Sequence, residues 1–464
     1  MAFTQAANVV ERMIGHGDNA TVTTDVSNYN DHGMETGERI LATTWQGKNN
    51  VKLVEMPKPS VIDPGDVVVR VTGSTICGSD LHLYHGVIPQ LEKGDVLGHE
   101  CCGIVELVGP EANRLEVGQR VVVSFPIACG DCENCRNQRF SQCERTNENT
   151  IENAMYGKRT AGMFGYSHFT GGFAGGQAEY IRVPYGNINL LPIPDDVPDE
   201  KALYLSDVVA TSWHCVVDTG VKQGDVVGIW GAGPIGQMCA EFSFSHGASR
   251  VILIDGGDAS WRLEYVKGKL PKLETIDFTN LAGKSVTAGI KELVPGGLDV
   301  ALECAAGEYA KGWAHYFEQM LGMETDTSEL LNEMITSVRS FGRVGVTGIY
   351  AGYVSCSSRV VNYSTNLGTR MQTNHFNIGA LMETGVRLIG NGQAPVHKYW
   401  GDLMSLIQKN EINPLNMVTH RLRLEDIERV YEVFERRDQG MQKVFLETKH
   451  SGPPAKGSLE LSTL

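Results

Sequence analysis

Long apolar runs are missing from this chain. No stretch of its 464 residues approaches the ~18 uninterrupted apolar positions that a membrane-spanning helix needs. Excess positive charge is missing too: 40 Lys and Arg stand against 55 Asp and Glu, a net charge of −15. An acidic surface repels phosphate backbones and anionic lipid, so neither nucleic acid nor membrane is expected as a partner. The first residues, MAFTQAANVVERMIGHGDNATVTTD, show no cationic start followed by an apolar run. No secretory leader is therefore read, and a cytoplasmic protein is expected. No internal repeat is visible. A disulfide framework is not expected either, because eleven Cys is an odd count in a chain read as intracellular. What remains is length enough for about two to four domains, with a core that needs no covalent staples.

The placement of the cysteines says more than their number. Cys129, Cys132, Cys135 and Cys143 follow the pattern C-x2-C-x2-C-x7-C. Clustered thiolates repel one another unless a cation sits between them. Four thiolates complete a tetrahedron around Zn2+, which closes the site and makes it structural. Gly130 and Asp131 suit the tight turn such a loop needs. A metal-free cysteine-rich loop and an iron–sulfur cluster are the less favoured alternatives.

Residues 1–38 are polar and aperiodic and read as a flexible extension. From Arg39 the texture turns to short β-rich runs, as in DPGDVVVRVTGSTICGSD, CCGIVELVG and QRVVVSF. Around Asp199 it turns again. DEKALYLSDVVATSWHCVVDTG reads as one helix ended by Gly220, and strands then alternate with helices, which indicates a parallel doubly wound sheet. Helices are expected over AHYFEQM, SELLNEMITSVRS and LRLEDIERVYEVFERRDQG, with KVFLE as a closing strand. Residues 451–464 read as a disordered tail. The fold class is thus α/β, a strand-rich module plus a doubly wound one.

Gly231-x-Gly233-x-x-Gly236 follows the expected strand DVVGIW and opens a helix through Pro234 and Ile235. In that context a glycine triplet is a strong sign of dinucleotide binding. Gly231 permits the turn, Gly233 lets backbone approach a pyrophosphate, and Gly236 lets helix and strand pack closely. Asp255 ends the next strand, where a carboxylate accepts from ribose hydroxyls and repels a 2′-phosphate. Gly256 and Gly257 follow it rather than Arg or Lys, so NAD is favoured over NADP. The plainer reading of Asp255 is a loop cap.

Two further clusters carry metal-ligand chemistry: Cys77-x-Ser79-Asp80-x-His82 and Gly98-His99-Glu100. Sulfur and imidazole together suit a catalytic zinc with one open position. With the four-Cys lobe and the glycine loop in the same order, residues of about 40–447 resemble the zinc-dependent medium-chain alcohol dehydrogenases. In that family the catalytic zinc is held by two Cys and one His. The resemblance implies a GroES-like catalytic domain over 39–207 and 391–450, containing the 129–143 lobe, with a Rossmann domain inserted over 208–390. The family's third zinc ligand, usually Cys, falls on Asp207 here. That Asp, with GQAPVHKY at 392–399, resembles the glutathione-independent formaldehyde dehydrogenase branch; the plainer reading of Asp207 is a helix N-cap.

The resemblance further implies two Zn2+ per chain, a catalytic ion on Cys77, His99 and Asp207 and a structural one on the four Cys. It implies hydride transfer between NAD and a zinc-bound alcohol, aldehyde hydrate or carbonyl. Glu100 would stand behind the zinc. Ser79 would take the proton and His82 would pass it to solvent. Thr211 would lie near the nicotinamide. A homodimer or homotetramer is expected. Aldehyde dismutation with tightly held NAD is the alternative within the family, and a zinc-ribbon binding module the alternative outside it. The extension and residues 145–175 depart from the branch, and the latter are expected to reshape the substrate pocket. Cys101 and Cys102 read as core.

Overall fold

The computed structural model describes residues 37–305, 328–348 and 376–464. Of the expected extension only Gly37 and Glu38 are described, and the helix expected over AHYFEQM lies outside the described residues. The chain divides into two compact units, Met1–Ala210 with Ala394–Leu464, and Thr211–Gln393.

The first unit is built on a seven-stranded sheet that joins both ends of the chain. Its strands run in the order His420–Arg423, Val444–Glu447, Val67–Ser74, Cys101–Val108, Arg120–Val123 and Leu190–Pro192, with Tyr180–Val183 also paired to Val67–Ser74. Alternating β-branched residues fill one side: Val67, Val69, Val71, Val105, Val121, Val123, Ile181 and Val183 form one buried cluster. That alternation is the period of a pleated sheet. The register decides where chemistry can collect. Ser74 stands opposite Cys101, Cys101 opposite Val123, and Leu446 opposite Ser74. The chain just beyond Ser74, just before Cys101, just beyond Val123 and just before Val444 therefore meets at one end of the sheet. Those segments contain Cys77, His99, Phe125 and Lys443.

The second unit is a six-stranded, wholly parallel sheet in the order Glu274–Asp277, Arg250–Asp255, Val226–Trp230, Leu298–Glu303, Val338–Val346 and Arg387–Gly390. In chain order this is 3-2-1-4-5-6, the doubly wound nucleotide-binding arrangement. The central strands are apolar along their middles, as burial on both faces requires: Val251, Ile252, Leu253, Val300, Ala301 and Leu302 are all fully buried.

Two expectations are corrected. The single helix expected from Asp199 to Gly220 is broken. A short helix Asp199–Ala202 passes through a 3-10 turn Leu203–Ser206 to a non-helical Asp207 (φ −147°, ψ −78°), and Val208–Thr219 then begins. Apolar periodicity cannot show a one-residue break, because the residues on either side stay buried. Residues 451–464, expected as a disordered tail, are docked. The Ser462 N–H donates to the Arg421 carbonyl (2.7 Å) and the Ala455 N–H to Glu200 Oε1 (3.1 Å). Arg421, buried between Glu200 and Glu447, also donates to the Gly452 carbonyl. Composition reports the tail's polarity but not a buried guanidinium that needs acceptors.

Candidate active site

Cys77 opens the helix Gly78–Tyr84, and its N–H is fixed by Asp80 Oδ2 (2.9 Å). His99 follows Gly98, whose φ of +93° favours glycine, and a Cβ there would meet the Gln177 backbone nitrogen at 2.7 Å. Asp207 is presented by the break just described. Its approach is pinned by Phe125 N–H on the Ser206 carbonyl (3.2 Å) and by the Trp400 indole on the Leu205 carbonyl (2.9 Å). These separate elements deliver one cluster: ligand atoms of Cys77, His99, Glu100 and Asp207 all lie within 4.8 Å of one another.

The cluster is electrostatically incomplete by itself. Both His99 ring nitrogens are buried without a hydrogen-bond partner, as are Asp80 Oδ1 and Glu100 Oε2. His99 Nε2 stands 3.3 Å from Asp207 Oδ2, and Nδ1 stands 3.3 Å from Asp80 Oδ1. Burial alone would lower the His99 pKa, yet Tyr166, Asp80 and Asp207 outweigh it and hold the ring well above its usual range. Carboxylates of Asp80, Glu100 and Asp207 and the Cys77 thiol crowd this buried imidazole, so the pocket has an excess of anionic donors. A cation bound by the sulfur, the imidazole and a carboxylate offsets that excess, and the donor set suits zinc.

Four residues that sequence reasoning left without a role support this cluster. Asp80 joins the Cys77 N–H to the His99 ring, and is itself held by the Gln177 amide (3.3 Å). Carboxylates behind a ligand imidazole fix its orientation. Gln177 in turn accepts from the Tyr431 hydroxyl (3.0 Å). Tyr166, from the 145–175 segment, sets its ring edge-on to His99 at 5.2 Å, and its hydroxyl reaches Ser79. Lys443 pairs with Glu100, both side chains only 1% exposed. Asp80 was within sight, two residues before His82. Tyr166, Gln177 and Lys443 stand too far along the chain for spacing to signal them. Ser79 and His82 lie on the helix behind Cys77 and are partly exposed.

The four-Cys lobe forms a second cluster, its sulfurs also within 4.8 Å of one another. Cys129 and Cys135 stand 3.9 Å apart, as do Cys132 and Cys143. Backbone N–H groups of Asp131 and Cys132 point at the Cys129 sulfur (3.4 and 3.3 Å), and that of Cys129 points at Cys143 (3.3 Å). Cys135 and Cys143, helped by those amides, hold the Cys129 thiol far below its usual range against burial. Asn189 clamps the lobe through both the N–H and the carbonyl of Ala128 (2.9 Å each). The donor set again fits zinc, in a closed site.

In the second unit the three glycines each have a physical reason. Gly231 has φ +102°, and a Cβ there would meet the Cys304 carbonyl at 2.7 Å. Gly233, the N-cap of helix Pro234–Ser245, has open space beside it. A Cβ at Gly236 would collide with the Gly231 carbonyl. Pro234 occupies the first helical turn, and Ile235 follows it. Asp255 Oδ2 accepts from Ala232 N–H (2.7 Å) and Oδ1 from Gly256 N–H (2.8 Å), so the carboxylate is tied to the glycine loop itself. Thr211 begins this unit in helix Val208–Thr219.

Residues 63–195 match the family model of the alcohol dehydrogenase GroES-like domain. The chain is 35% identical over 441 residues to a zinc-type alcohol dehydrogenase-like protein of Schizosaccharomyces pombe, covering 95% of this chain and 97% of that one. The chain belongs to the zinc-type medium-chain alcohol dehydrogenase family. It is also 30% identical over 422 residues to the glutathione-independent formaldehyde dehydrogenase of Pseudomonas aeruginosa, covering 88% and 97% of the two chains. Among solved structures it resembles the alcohol dehydrogenase TADH from Thermus sp. ATN1, with TM-score 0.70, 30% identity, and 88% and 100% of the two chains covered. For a zinc-type alcohol dehydrogenase the binding-module alternative is not favoured. The acidic balance agrees, and among the described residues no helix is long and apolar enough to cross a membrane.

Proposed function

We propose that this chain is an NAD-dependent dehydrogenase of small alcohols or aldehyde hydrates, holding one zinc at Cys77, His99 and Asp207 and another at Cys129, Cys132, Cys135 and Cys143. The observation that carries the reading is the convergence of Cys77, His99, Glu100 and Asp207 donor atoms within 4.8 Å around an imidazole left unpartnered. When bound, zinc supplies Lewis acidity toward the substrate oxygen, and NAD supplies the hydride acceptor.

The chain's own residues do the rest. Asp80 and Gln177 orient His99. Lys443 pairs with the Glu100 carboxylate and opposes the upward pull of burial on it. Ser79 accepts the substrate's proton, in contact with the Tyr166 hydroxyl, and His82, three residues along the same helix, hands it to solvent. Tyr166 sets its ring edge-on against His99 beside the site. Asp207 in place of a thiolate leaves the ligand charge unchanged but makes the set harder. Gly231, Gly233 and Gly236 seat the pyrophosphate, Asp255 the ribose hydroxyls, and Thr211 the nicotinamide end. The formaldehyde branch is favoured by Asp207 and by the GQAPVHKY segment. A homo-oligomer in the cytoplasm completes the proposal.

The experiment is a substrate panel of formaldehyde, primary alcohols and secondary alcohols, read by NADH release and paired with metal analysis. Turnover with NAD and about two zinc per chain supports the reading. Acid and alcohol formed in equal amounts without NADH release would replace net oxidation by dismutation. Absence of turnover across the panel, with zinc bound, would overturn the substrate assignment.

A further inference from the structure

Three cysteines from three separate elements meet in the second unit, none of them a member of either cluster above. Cys215 lies in helix Val208–Thr219, Cys239 in helix Pro234–Ser245, and Cys304 directly after strand Leu298–Glu303. Their sulfurs all lie within 4.8 Å of one another, with Cys304 and Cys239 3.8 Å apart, and all three are thiols. Cys215 and Cys239 are fully buried, while Cys304 is partly exposed. Among the described residues no His, Asp or Glu donor joins the group.

That donor set restricts what can bind. Three sulfurs bonded at about 2.3 Å to one ion in their plane stand about 4 Å apart, close to the 3.8 Å between Cys239 and Cys304. Sulfur without oxygen or nitrogen selects soft ions. Zinc in a closed site wants a fourth protein ligand, and among the described residues none joins the three sulfurs. We propose that Cys215, Cys239 and Cys304 form a three-sulfur site for one copper(I) ion. Each thiol that coordinates gives its proton to solvent, and no electron moves. Cys304, the exposed member, is the point of entry.

The position ties the site to the nucleotide loop. The Cys304 N–H donates to the Trp230 carbonyl (2.8 Å), and its own carbonyl is the atom that a side chain at Gly231 would strike. Cys239 stands on the helix that the same loop opens. A copper ion bonded to both would brace the glycine loop from behind.

The test titrates the full-length, zinc-loaded protein with copper(I), anaerobically and under a reductant, in competition with bathocuproine disulfonate. Retained copper and released zinc are measured together. One copper retained per chain with no zinc released is expected. That copper should vanish in Cys304→Ser and in Cys239→Ala, and persist in Cys102→Ala, which lies in the other unit. Circular dichroism and unchanged zinc content show that the variants remain folded. Should Cys239→Ala fail to fold, the partly exposed Cys304→Ser decides. No retained copper, copper gained only as zinc is lost, equal retention in the variants, or a Cys239–Cys304 disulfide in place of the complex would each overturn the proposal.

Discussion

Replacing Lys443 by Met removes the ammonium from a fully buried ion pair and leaves its volume. Lys443 and Glu100 are each 1% exposed, so no water can take over the role of the lost partner. Breaking such a pair from one side costs about 3–5 kcal/mol, because the remaining charge stays buried. In a unit of this size that corresponds to a fall in the unfolding midpoint of roughly 5–15 °C. Burial raises the Glu100 pKa and Lys443 opposes it. With Lys443 gone, the folded-state pKa of Glu100 climbs further above its unfolded value, so the variant's folded state binds more protons. Its deficit relative to the parent therefore narrows as pH falls. The double variant Lys443→Met with Glu100→Gln removes both charges and should regain most of the lost stability. Scanning calorimetry at pH 8 and pH 6 on parent, single and double variants measures all of this. A single variant within about 1 kcal/mol of the parent, or a double variant worse than the single, would refute the buried-pair reasoning.

Three further outcomes are expected. His397 sits between Phe140 and Trp400 with Nε2 2.9 Å from Asn189 Oδ1, and burial pushes its pKa down to about 3 from 6.5. Between those values the unfolded chain binds the proton and the folded chain does not, so stability falls as pH drops below about 6.5, by roughly 5 kcal/mol in all. His397→Gln should flatten that acid limb in a urea-melt series, and an unchanged slope would contradict it. Asp255→Ala should weaken NAD more than NADP in a binding titration, because a carboxylate that accepts from ribose hydroxyls also repels a 2′-phosphate. Equal losses would assign Asp255 only its hydrogen bonds to Ala232 and Gly256. Cys143→Ser should release one zinc and leave the other. Both lost together, or neither, would break the assignment of two independent sites.

The features that were legible in the sequence are those in which neighbours in space are neighbours in the chain. The glycine loop is a local object: its φ values, its strand and its helix all fall within Val226–Ser245. The four-Cys lobe closes within 15 residues. Cys101 and Cys102, read as core, are buried, and burial lifts the Cys101 thiol to about 12. Reading Asp207 as a ligand position needed the family pattern, since its helical surroundings hid the backbone break that presents it. Lys443, Gln177 and Tyr166 were out of reach because sheet register brings them in. The pairing of Leu446 with Ser74 and of Ser74 with Cys101 is a property of the assembled sheet. The three-cysteine cluster is silent for the same reason: its members are separated by 24 and 65 residues and share no motif.

The proposed chemistry depends on one zinc among Cys77, His99 and Asp207. Anomalous diffraction from crystals of the purified protein, recorded on either side of the zinc absorption edge, tests it most directly. A peak bonded to those three side chains is expected, with a second among the four cysteines of the lobe. A lobe peak alone, with His99 and Asp207 in direct hydrogen bond to each other, would contradict it.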